Sequence, residues 1–541
     1  MAIVKFPRKE FEKHFKMTNE MEEKIAMFGT PVESITNEEI AIEVFPNRPD
    51  MLSFQGFIRS FLAFNGKSKG LKSYKVNKPE KNYEVKVHLS VRDVRPYTAC
   101  AIIKNLKFND EKIKEIIDVQ EKIHSTLGRN RKKIAIGIYP LEKITLPISF
   151  EARKPQDIKF IPLEAKGEMN GIDILKNHPT GRNYAHLLEG HRKFPVFVDA
   201  AGEILSMPPI INSSKTGKIG ENTKDIFIEC SGFDFNVLKK TLNILVTMLA
   251  DMGGDIYQMR INYLKSETTP CLEPEKIKLN IDFANKLLGL ELKDKQIKEL
   301  LEKMGYNYEN SEVFVPAWRT DILHEVDIIE DIAIAYGYNN FKPEIPKIST
   351  IGGEEKNERI KRKVAEVIAG LGLLEISSYH LLTKEDIKKT GLKSFIEVEK
   401  SKTDYKVLRP NLLSSALKIL GNNVDAEYPQ KIFEIGKTFE KDSKAETGIT
   451  EKEKLMIAIT PGNFTEIKQI IDYLFKTLGL EYHVEDTIYS HFIEGRVGKL
   501  IVKEKDIGVI GEVNPGTLKD WHLKMPLALL EIDFDKMMEL I

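Results

Sequence analysis

The carboxylates between Val315 and Tyr338 are the strongest candidates for chemistry in the sequence VPAWRTDILHEVDIIEDIAIAYGY. On a helix, Asp327, Glu330 and Asp331 lie three and four residues apart and share one face. Asp321 precedes this group by six residues, near the predicted helix start, where it can fold over the same face. Mutually repelling oxygen ligands of this kind suit Mg²⁺ with retained waters. A solvated acidic helix face with Asp321 as the N-cap explains the same spacing, so spacing alone leaves both interpretations open.

Familiar nucleotide-binding and protease signatures do not occur in the sequence, which lacks GxxxxGK[ST], GxGxxG, HExxH and GxSxG. His178, His186 and His191 have spacings that do not share a helical face, so we assign them no metal. The basic loop from Gly128 to Lys133 is a candidate for contacts with phosphates, although a solvated surface loop explains it equally well.

Length and composition limit the number of domains, the kinds of partner and the location of the protein. A chain of 541 residues is too long for one hydrophobic core, and we expect three or four domains. The 81 basic and 81 acidic residues cancel, so any contact with nucleic acid must be local. The three cysteines, Cys100, Cys230 and Cys271, form no CxxC pair, which argues against a zinc site and a disulfide framework. With no signal peptide and no apolar run of membrane-spanning length, we expect a cytoplasmic protein without a membrane partner.

The order of predicted elements favours an α+β multidomain chain. We predict an N-terminal alpha/beta domain over residues 1–82, with Thr18 and Asp50 as helix caps. A mixed alpha/beta domain follows over 83–264; it includes a hairpin around residues 199–202 and a helix that Asp234 caps. A small domain of helices and strands over 268–343 carries the carboxylate cluster. Prolines mark its end. The last predicted domain spans 350–541.

Five ordered segments resemble the phenylalanyl-tRNA synthetase beta subunit family in its shorter, archaeal and eukaryotic type. They are EVFPNRPDMLS from Glu43, VRDVRPY from Val91, WRTD from Trp318 through GY at Tyr338, LRP from Leu408 with FEIG from Phe433, and GVIGEVNP from Gly508. Each motif is weak by itself, whereas their ordered combination is specific and covers nearly the whole chain.

The resemblance implies a class II synthetase of two alpha and two beta subunits that attaches phenylalanine to its tRNA. The alpha subunit of this family binds ATP and phenylalanine and carries the aminoacylation site, so this chain would have no aminoacylation residues and no bound cofactor other than Mg²⁺. The family's Mg²⁺ ligands match Asp321, Asp327, Glu330 and Asp331.

The middle domain resembles the family's editing domain, which hydrolyses tyrosine wrongly attached to the phenylalanine tRNA. Candidate editing residues are Asn212, Ser214, Thr223 and Asp225, and Asn222 and Glu229 add further polar groups, because such groups are suited to binding an ester and orienting water. A strand bounded by prolines and an ordinary polar loop explain each residue equally well. The alternative function is a non-catalytic RNA-binding or assembly scaffold with an inactive editing pocket.

The C-terminal domain resembles the antiparallel sheet of class II synthetases with flanking helices. Such enzymes hold ATP phosphates with fixed arginines. The segment from Phe433 to Gly436 has no arginine, and Arg409 and Arg496 are more easily explained as packing or interface cations. We therefore expect a pseudo-catalytic scaffold that positions the alpha subunit.

Overall fold

The computed structural model describes residues 2–346, 352–392 and 394–541. The chain divides into two units, Met1–Ile345 and Pro346–Ile541. The first three predicted domains lie within the first unit, and the predicted start of the fourth, at residue 350, lies outside the described residues. No helix in the described part of the chain is long and apolar enough to cross a membrane.

The N-terminal elements form a small antiparallel sheet with helices. They are β1 (Ala2–Pro7), α1 (Arg8–Glu12), α2 (Asn19–Met27), β2 (Val32–Ile35), β3 (Glu39–Val44) and α3 (Phe54–Phe64), with strand order β1-β3-β2. Thr18 caps α2, as predicted. The prediction that Asp50 caps α3 was wrong, because the Arg48 guanidinium holds both carboxylate oxygens at 2.9 and 2.8 Å. The cap of α3 is Ser53, whose hydroxyl accepts the Gly56 N–H.

The middle of the first unit is built on one large sheet. Its elements are β4 (Val76–Asn77), β5 (Glu84–Val87), β6 (Tyr97–Lys104), α4 (Asp110–Ser125), β7 (Ile134–Pro140), β8 (Ile148–Arg153), β9 (Lys159–Phe160), β10 (Met169–Asn170), α5 (Gly171–Asn177), α6 (Pro179–Tyr184), β11 (Phe194–Val198), β12 (Ile204–Met207), β13 (Ile211–Asn212), β14 (Ile226–Gly232), α7 (Phe235–Asp251), β15 (Asp255–Asn262) and β16 (Ser266–Thr269). The strand order is β13-β12-β11-β8-β5-β15-β6-β14-β7, with β4 and β16 also paired to β15.

Strand β14 lies inside the sheet, where it pairs antiparallel with β6 on one side and β7 on the other. All residues of β7 and β14 are buried. Strand β7 accordingly reads as a continuous apolar run, whereas β14 buries the polar side chains of Glu229 and Ser231. Asp234 caps α7 as predicted, and the predicted apolar face, including Leu238, Leu242 and Leu245, is buried.

The last part of the first unit carries the carboxylate cluster. Its elements are β17 (Glu275–Lys278), α8 (Ile281–Leu288), α9 (Asp294–Lys303), β18 (Asn307–Glu309), β19 (Glu312–Val315) and α10 (Glu325–Tyr336), with strand order β17-β19-β18. Helix α10 is capped by His324 rather than by Asp321, and it ends at Gly337, whose φ is 92°. Ile328, Ile329 and Ile332 of α10 are buried in the core of this unit.

The second unit is a sheet with helices. Its elements are α11 (Lys356–Gly370), β20 (Leu374–Glu375), β21 (Leu381–Thr383), α12 (Lys384–Lys389), β22 (Ile396–Glu397), β23 (Tyr405–Leu408), α13 (Leu413–Asn422), β24 (Gln430–Lys441), β25 (Ile449–Thr460), α14 (Phe464–Leu478), β26 (His483–Asp486), β27 (Phe492–Val502), β28 (Lys505–Val513), α15 (Pro515–Asp520), β29 (Ala528–Asp533) and α16 (Phe534–Leu540). The main sheet has the order β20-β24-β25-β29-β28-β27-β26 and is antiparallel apart from the β20–β24 pair. Apolar side chains pack on both of its faces.

Candidate functional site

A cavity of about 500 Å³ lies against α4, β7, β14 and the segment that joins β12 to β13. Isoleucine side chains supply most of its apolar wall: Ile113, Ile116, Ile117, Ile136, Ile138, Ile210, Ile211 and Ile219. A cavity that is mainly apolar with a few polar groups is typical of a small-molecule binding site.

Glu229 of β14 supplies a carboxyl group to this cavity, although the residue is only 1% exposed. Burial raises its pKa to about 8, against the smaller opposing effect of the Arg95 charge. At neutral pH the side chain is therefore mostly a carboxylic acid, which can donate as well as accept a hydrogen bond. Its Oε2 atom has no hydrogen-bond partner among the described residues.

Tyr139 connects Glu229 to Asn212. The Tyr139 hydroxyl lies 3.3 Å from Glu229 Oε1 and 3.4 Å from Asn212 Oδ1, so it is positioned to donate to either oxygen. Burial and the nearby Glu229 charge raise the Tyr139 pKa well above its ordinary value, which keeps the phenol protonated. Glu229 and Asn212 line the cavity and Tyr139 connects them, so the three side chains form one of its polar patches, with Gln120, His124 and Arg131 as further polar lining residues.

Arg95 supplies a buried cation near Glu229. Its Nη2 and Nε atoms donate to the carbonyl oxygen of Ser231 at 2.6 Å and to the Ser231 hydroxyl at 3.1 Å. Burial lowers the Arg95 pKa to about 10, and the Glu229 charge opposes that shift. Arg95 stays charged at neutral pH and limits how far burial raises the Glu229 pKa.

His124 and Arg131 also line the cavity. His124 Nε2 accepts the Ile136 N–H at 2.9 Å and Nδ1 lies 3.3 Å from Glu121, so both ring nitrogens are engaged. Arg131 belongs to the basic loop, yet it donates to the Ile210 carbonyl and to Glu121. These bonds direct Arg131 toward the cavity wall, whereas Arg129, Lys132 and Lys133 of the same loop are exposed.

Of the four editing residues predicted from the sequence, Asn212 lines the cavity. Ser214 donates its N–H to Ile161, the Thr223 hydroxyl accepts the Gly220 N–H, and Asp225 accepts the Asn105 N–H. None of these three lines the cavity. Glu229 was among the polar groups predicted from the sequence to bind the ester, whereas Tyr139 and Arg95 were not predicted, because strand pairing rather than sequence proximity brings them near Glu229.

The carboxylates near α10 lie around a second cavity of about 600 Å³. Its lining includes all four predicted ligands, Asp321, Asp327, Glu330 and Asp331, together with Arg48. The four side chains therefore face a common space, although Asp331 is buried rather than part of a solvated helix face.

Arg319 pairs with two of these carboxylates. Its guanidinium donates to both oxygens of Asp321 at 2.8 and 2.7 Å and to Asp331 at 2.8 Å, and the Tyr306 hydroxyl also donates to Asp331. Burial raises the Asp321 pKa, but the Arg319 charge and hydrogen bonds outweigh it and leave the pKa below its ordinary value.

Asp327 and Glu330, unlike Asp321 and Asp331, are not held by Arg319. Asp327 accepts the N–H groups of Leu323 and His324, both at 2.8 Å, and so closes the first turn of α10. Burial and the neighbouring carboxylates raise the Glu330 pKa. No group of three or more His, Cys, Asp or Glu side chains within the described ranges is arranged to hold a metal ion, so the four-ligand Mg²⁺ site stays a prediction.

Three family models match the chain. The B3/4 domain matches residues 95–246, the tRNA synthetase B5 domain residues 277–338, and the phenylalanyl-tRNA synthetase beta chain CLM domain residues 342–534. The phenylalanine-tRNA ligase beta subunit of Thermococcus sibiricus is 39% identical over 90% of this chain and 88% of its own length. The chain belongs to the phenylalanine-tRNA ligase beta subunit family. The beta subunit of Pyrococcus horikoshii is 40% identical over 90% of this chain and 89% of its own length. The beta subunit of Archaeoglobus fulgidus is 37% identical over 94% of both chains.

A crystal structure of an N-terminal fragment of the beta subunit from Pyrococcus horikoshii also resembles this member of the family. Its TM-score is 0.59 and its identity 36%, over 62% of this chain and 99% of the fragment. In this beta-subunit sequence, the B3/4 match contains Glu229, Tyr139 and Asn212, and the B5 match contains the four carboxylates. The family resemblance predicted from the sequence motifs is confirmed.

Proposed function

We propose that this chain is the beta subunit of a phenylalanine-tRNA ligase and that it acts with an alpha subunit to attach phenylalanine to its tRNA. The similarity to archaeal beta subunits over 90% of the chain supports this role. Its partners are then the alpha subunit and the phenylalanine tRNA, in a cytoplasmic α₂β₂ tetramer in which the alpha subunit binds ATP.

A second activity is proposed for the cavity at Glu229: hydrolysis of tyrosine wrongly attached to the phenylalanine tRNA. An apolar synthetic pocket rejects an analogue with one added hydroxyl only weakly, by roughly 10²-fold, so correction after attachment is useful. The isoleucine-lined cavity suits an aromatic ring, and the Glu229 carboxyl group suits a phenol hydroxyl.

Selection for tyrosine over phenylalanine follows from the buried Glu229 carboxyl group in the cavity wall. A tyrosine hydroxyl gives Glu229 Oε2 the hydrogen-bond partner that it lacks among the described residues. A phenylalanine ring leaves the buried carboxyl group unsatisfied. Sites that bind a substrate hydroxyl in this way reject the analogue without it by about 10⁴-fold. The correct product, phenylalanyl-tRNA, is therefore spared.

Magnesium binding is proposed at the second cavity. The hard oxygens of Asp321, Asp327, Glu330 and Asp331 suit Mg²⁺, which keeps several waters and needs only one or two direct carboxylates. Glu330 is the most available direct ligand because it is exposed, whereas Arg319 already neutralises Asp321 and Asp331. Bound Mg²⁺ supplies positive charge to a space that the remaining carboxylates make negative.

The second unit is proposed to be a class II-like scaffold without an ATP site of its own. Arg409 is buried and paired with Glu434 at 2.7 Å, so it is not free to clamp a phosphate. Arg496 pairs with Glu512 at 2.7 Å on the surface, where such a pair is weak, and it is explained as an interface cation. The isolated chain is expected to make no phenylalanyl-adenylate.

Hydrolysis of tyrosyl-tRNA by the purified alpha–beta complex tests the editing proposal. We expect Glu229→Ala and Asn212→Ala to slow hydrolysis at least tenfold, because both residues line the cavity. Ser214→Ala is the matched control, since Ser214 lies outside it, and should leave the rate unchanged. Aminoacylation with phenylalanine should be normal in all three variants. A wild-type complex that leaves tyrosyl-tRNA intact favours the alternative function, a non-catalytic scaffold with an inactive pocket.

A further inference from the structure

A third cavity, of about 350 Å³, lies between α3, the segment of residues 68–73 and the turn that precedes α10. Five cationic residues line it: Arg48, Arg59, Lys69, Lys72 and Arg319. None of its lining residues in the described part of the chain is an aspartate or a glutamate. The five cations outnumber by one the four carboxylates that pair with them, Asp50, Asp251, Asp321 and Asp331, so the space keeps an excess of positive charge.

Two of the arginines are deeply buried and not fully satisfied. The Arg59 side chain is 8% exposed and that of Arg319 2% exposed. Nε and Nη2 of Arg59 and Nη1 of Arg319 have no hydrogen-bond partner among the described residues. Buried donors of charged groups are costly to leave unpaired, so the cavity favours an acceptor.

The carboxylates that hold these arginines are in direct contact with them but are not among the residues that line the cavity. Asp50 pairs with Arg48, and Asp251 pairs with Arg59 at 2.6 Å and with Lys72 at 2.7 Å. Arg319 pairs with both Asp321 and Asp331. The Trp318 ring lies 4.6 Å from the Arg59 guanidinium carbon and fixes its plane. Each guanidinium is thus positioned by a carboxylate that is not part of the cavity lining.

The segment that carries Lys69 and Lys72 is also fixed in place. The Gly70 N–H donates to the Glu302 carbonyl at 2.7 Å, and the Leu71 N–H donates to Asn307 Oδ1 at 2.9 Å. Gly70 has a φ of +83°, and a side chain there would meet Asn307. The lysines therefore stand on an anchored turn, which lowers the entropic cost of ordering them around a ligand.

We propose that this cavity binds a phosphate-type oxyanion. Guanidinium groups match the geometry of phosphate oxygens, and Lys69 adds a cation without a carboxylate partner among the described residues. The cavity is larger than one ion requires, so it accepts either the phosphate of a small phosphorylated molecule or a phosphate of an RNA backbone. The proposal is independent of the editing activity.

Calorimetric titration of inorganic phosphate into the purified alpha–beta complex tests the site. Wild type should bind saturably, with one site per beta chain, and Lys69→Glu should weaken binding about tenfold by placing a carboxylate in the cavity. Lys75→Glu is the matched control, because Lys75 is exposed, carries the same charge change and does not line the cavity. Arg59→Lys, which keeps the charge, should bind more weakly than wild type and more tightly than Lys69→Glu.

Competition with tRNA distinguishes the two sources of phosphate. If phosphate displaces bound tRNA more than chloride does at equal ionic strength, and Lys69→Glu abolishes the difference, the site binds the RNA backbone. If tRNA stays bound while phosphate fills the site, the natural ligand is a small phosphorylated molecule. Absence of saturable phosphate binding to wild type, or equal weakening in Lys69→Glu and Lys75→Glu, overturns the proposal.

Discussion

Gly137 and Glu229 lie opposite each other on the paired strands β7 and β14, and the missing side chain of Gly137 leaves the space that the Glu229 carboxyl group occupies. A Cβ atom at residue 137 would lie 2.2 Å from the Tyr139 hydroxyl and 2.6 Å from Glu229 Oε1. The absence of a side chain at Gly137 therefore makes room for the Tyr139 hydroxyl and the Glu229 carboxyl group.

Gly137→Ala is the most direct test of that relationship. The added methyl group must displace Tyr139 or Glu229, so we expect tyrosyl-tRNA hydrolysis to fall at least tenfold, with a stability cost of about 1–3 kcal/mol. Rates of hydrolysis and of phenylalanine attachment by the complex measure the effect. Gly167→Ala is the control, because a Cβ there meets no atom within 4 Å. Undiminished hydrolysis in Gly137→Ala contradicts the assigned geometry.

Glu229 also makes stability depend on pH. The folded chain holds the Glu229 proton up to about pH 8, whereas the unfolded chain loses it near the ordinary value of 4.5. The folded state thus binds more protons in that window, and its stability falls as pH rises from about 4.5 to about 8. Each pKa unit corresponds to about 1.4 kcal/mol, so the loss amounts to a few kcal/mol.

Glu229→Gln should flatten this dependence, because the amide does not titrate. Urea unfolding at intervals from pH 5 to pH 8 measures the slope for wild type and variant. Glu142→Gln, a change at an exposed carboxylate of the same domain, is the control and should keep the wild-type slope. Parallel curves for wild type and Glu229→Gln would show that the buried carboxyl group does not shift as described.

Much of the fold could be predicted from sequence, because local signals decide it. Caps at Thr18 and Asp234 and the buried face of α7 follow from spacing and side-chain type. Asp50 failed as a cap because Arg48, two residues away, competes for its carboxylate. Asn212 and Glu229 could be named from the sequence, but their arrangement with Tyr139 could not, because β7, β14 and the segment before β13 meet only through long-range pairing. The sequence also does not show the space that the missing side chain of Gly137 leaves.

Arg319 should be more important for stability than for chemistry. Removing it by Arg319→Ala leaves the buried Asp331 and the half-buried Asp321 without their cation, and losing one partner of a buried ion pair costs about 3–5 kcal/mol. Arg260→Ala is the control, since the Arg260–Glu84 pair is partly exposed and such pairs contribute roughly 0–1 kcal/mol. Urea unfolding measures both variants. Equal, small losses would show that the buried pairing contributes little.

Glu330→Gln tests the magnesium proposal with little risk to the fold, because Glu330 is exposed. Replacing the carboxylate by an amide removes one negative charge and the most available direct ligand, so we expect Mg²⁺ affinity to fall at least tenfold. Equilibrium dialysis of the complex against Mg²⁺ measures it. Glu325→Gln, on the same helix but outside the cavity lining, serves as control. Unchanged magnesium content in Glu330→Gln excludes this residue as a ligand.

Arg409 in the second unit should behave as a structural cation. It is 1% exposed, and it donates to Glu434, to the Ser378 hydroxyl and to the Lys437 carbonyl at 2.6–2.7 Å. Arg409→Ala leaves the buried Glu434 without its cation and should destabilise this unit by about 3–5 kcal/mol. Arg496→Ala, which removes an exposed arginine, should cost far less. Proteolytic susceptibility of the second unit under increasing urea measures the difference. If Arg409→Ala instead leaves stability intact and weakens ATP binding by the beta chain alone, Arg409 is a phosphate clamp and the second unit holds its own nucleotide site.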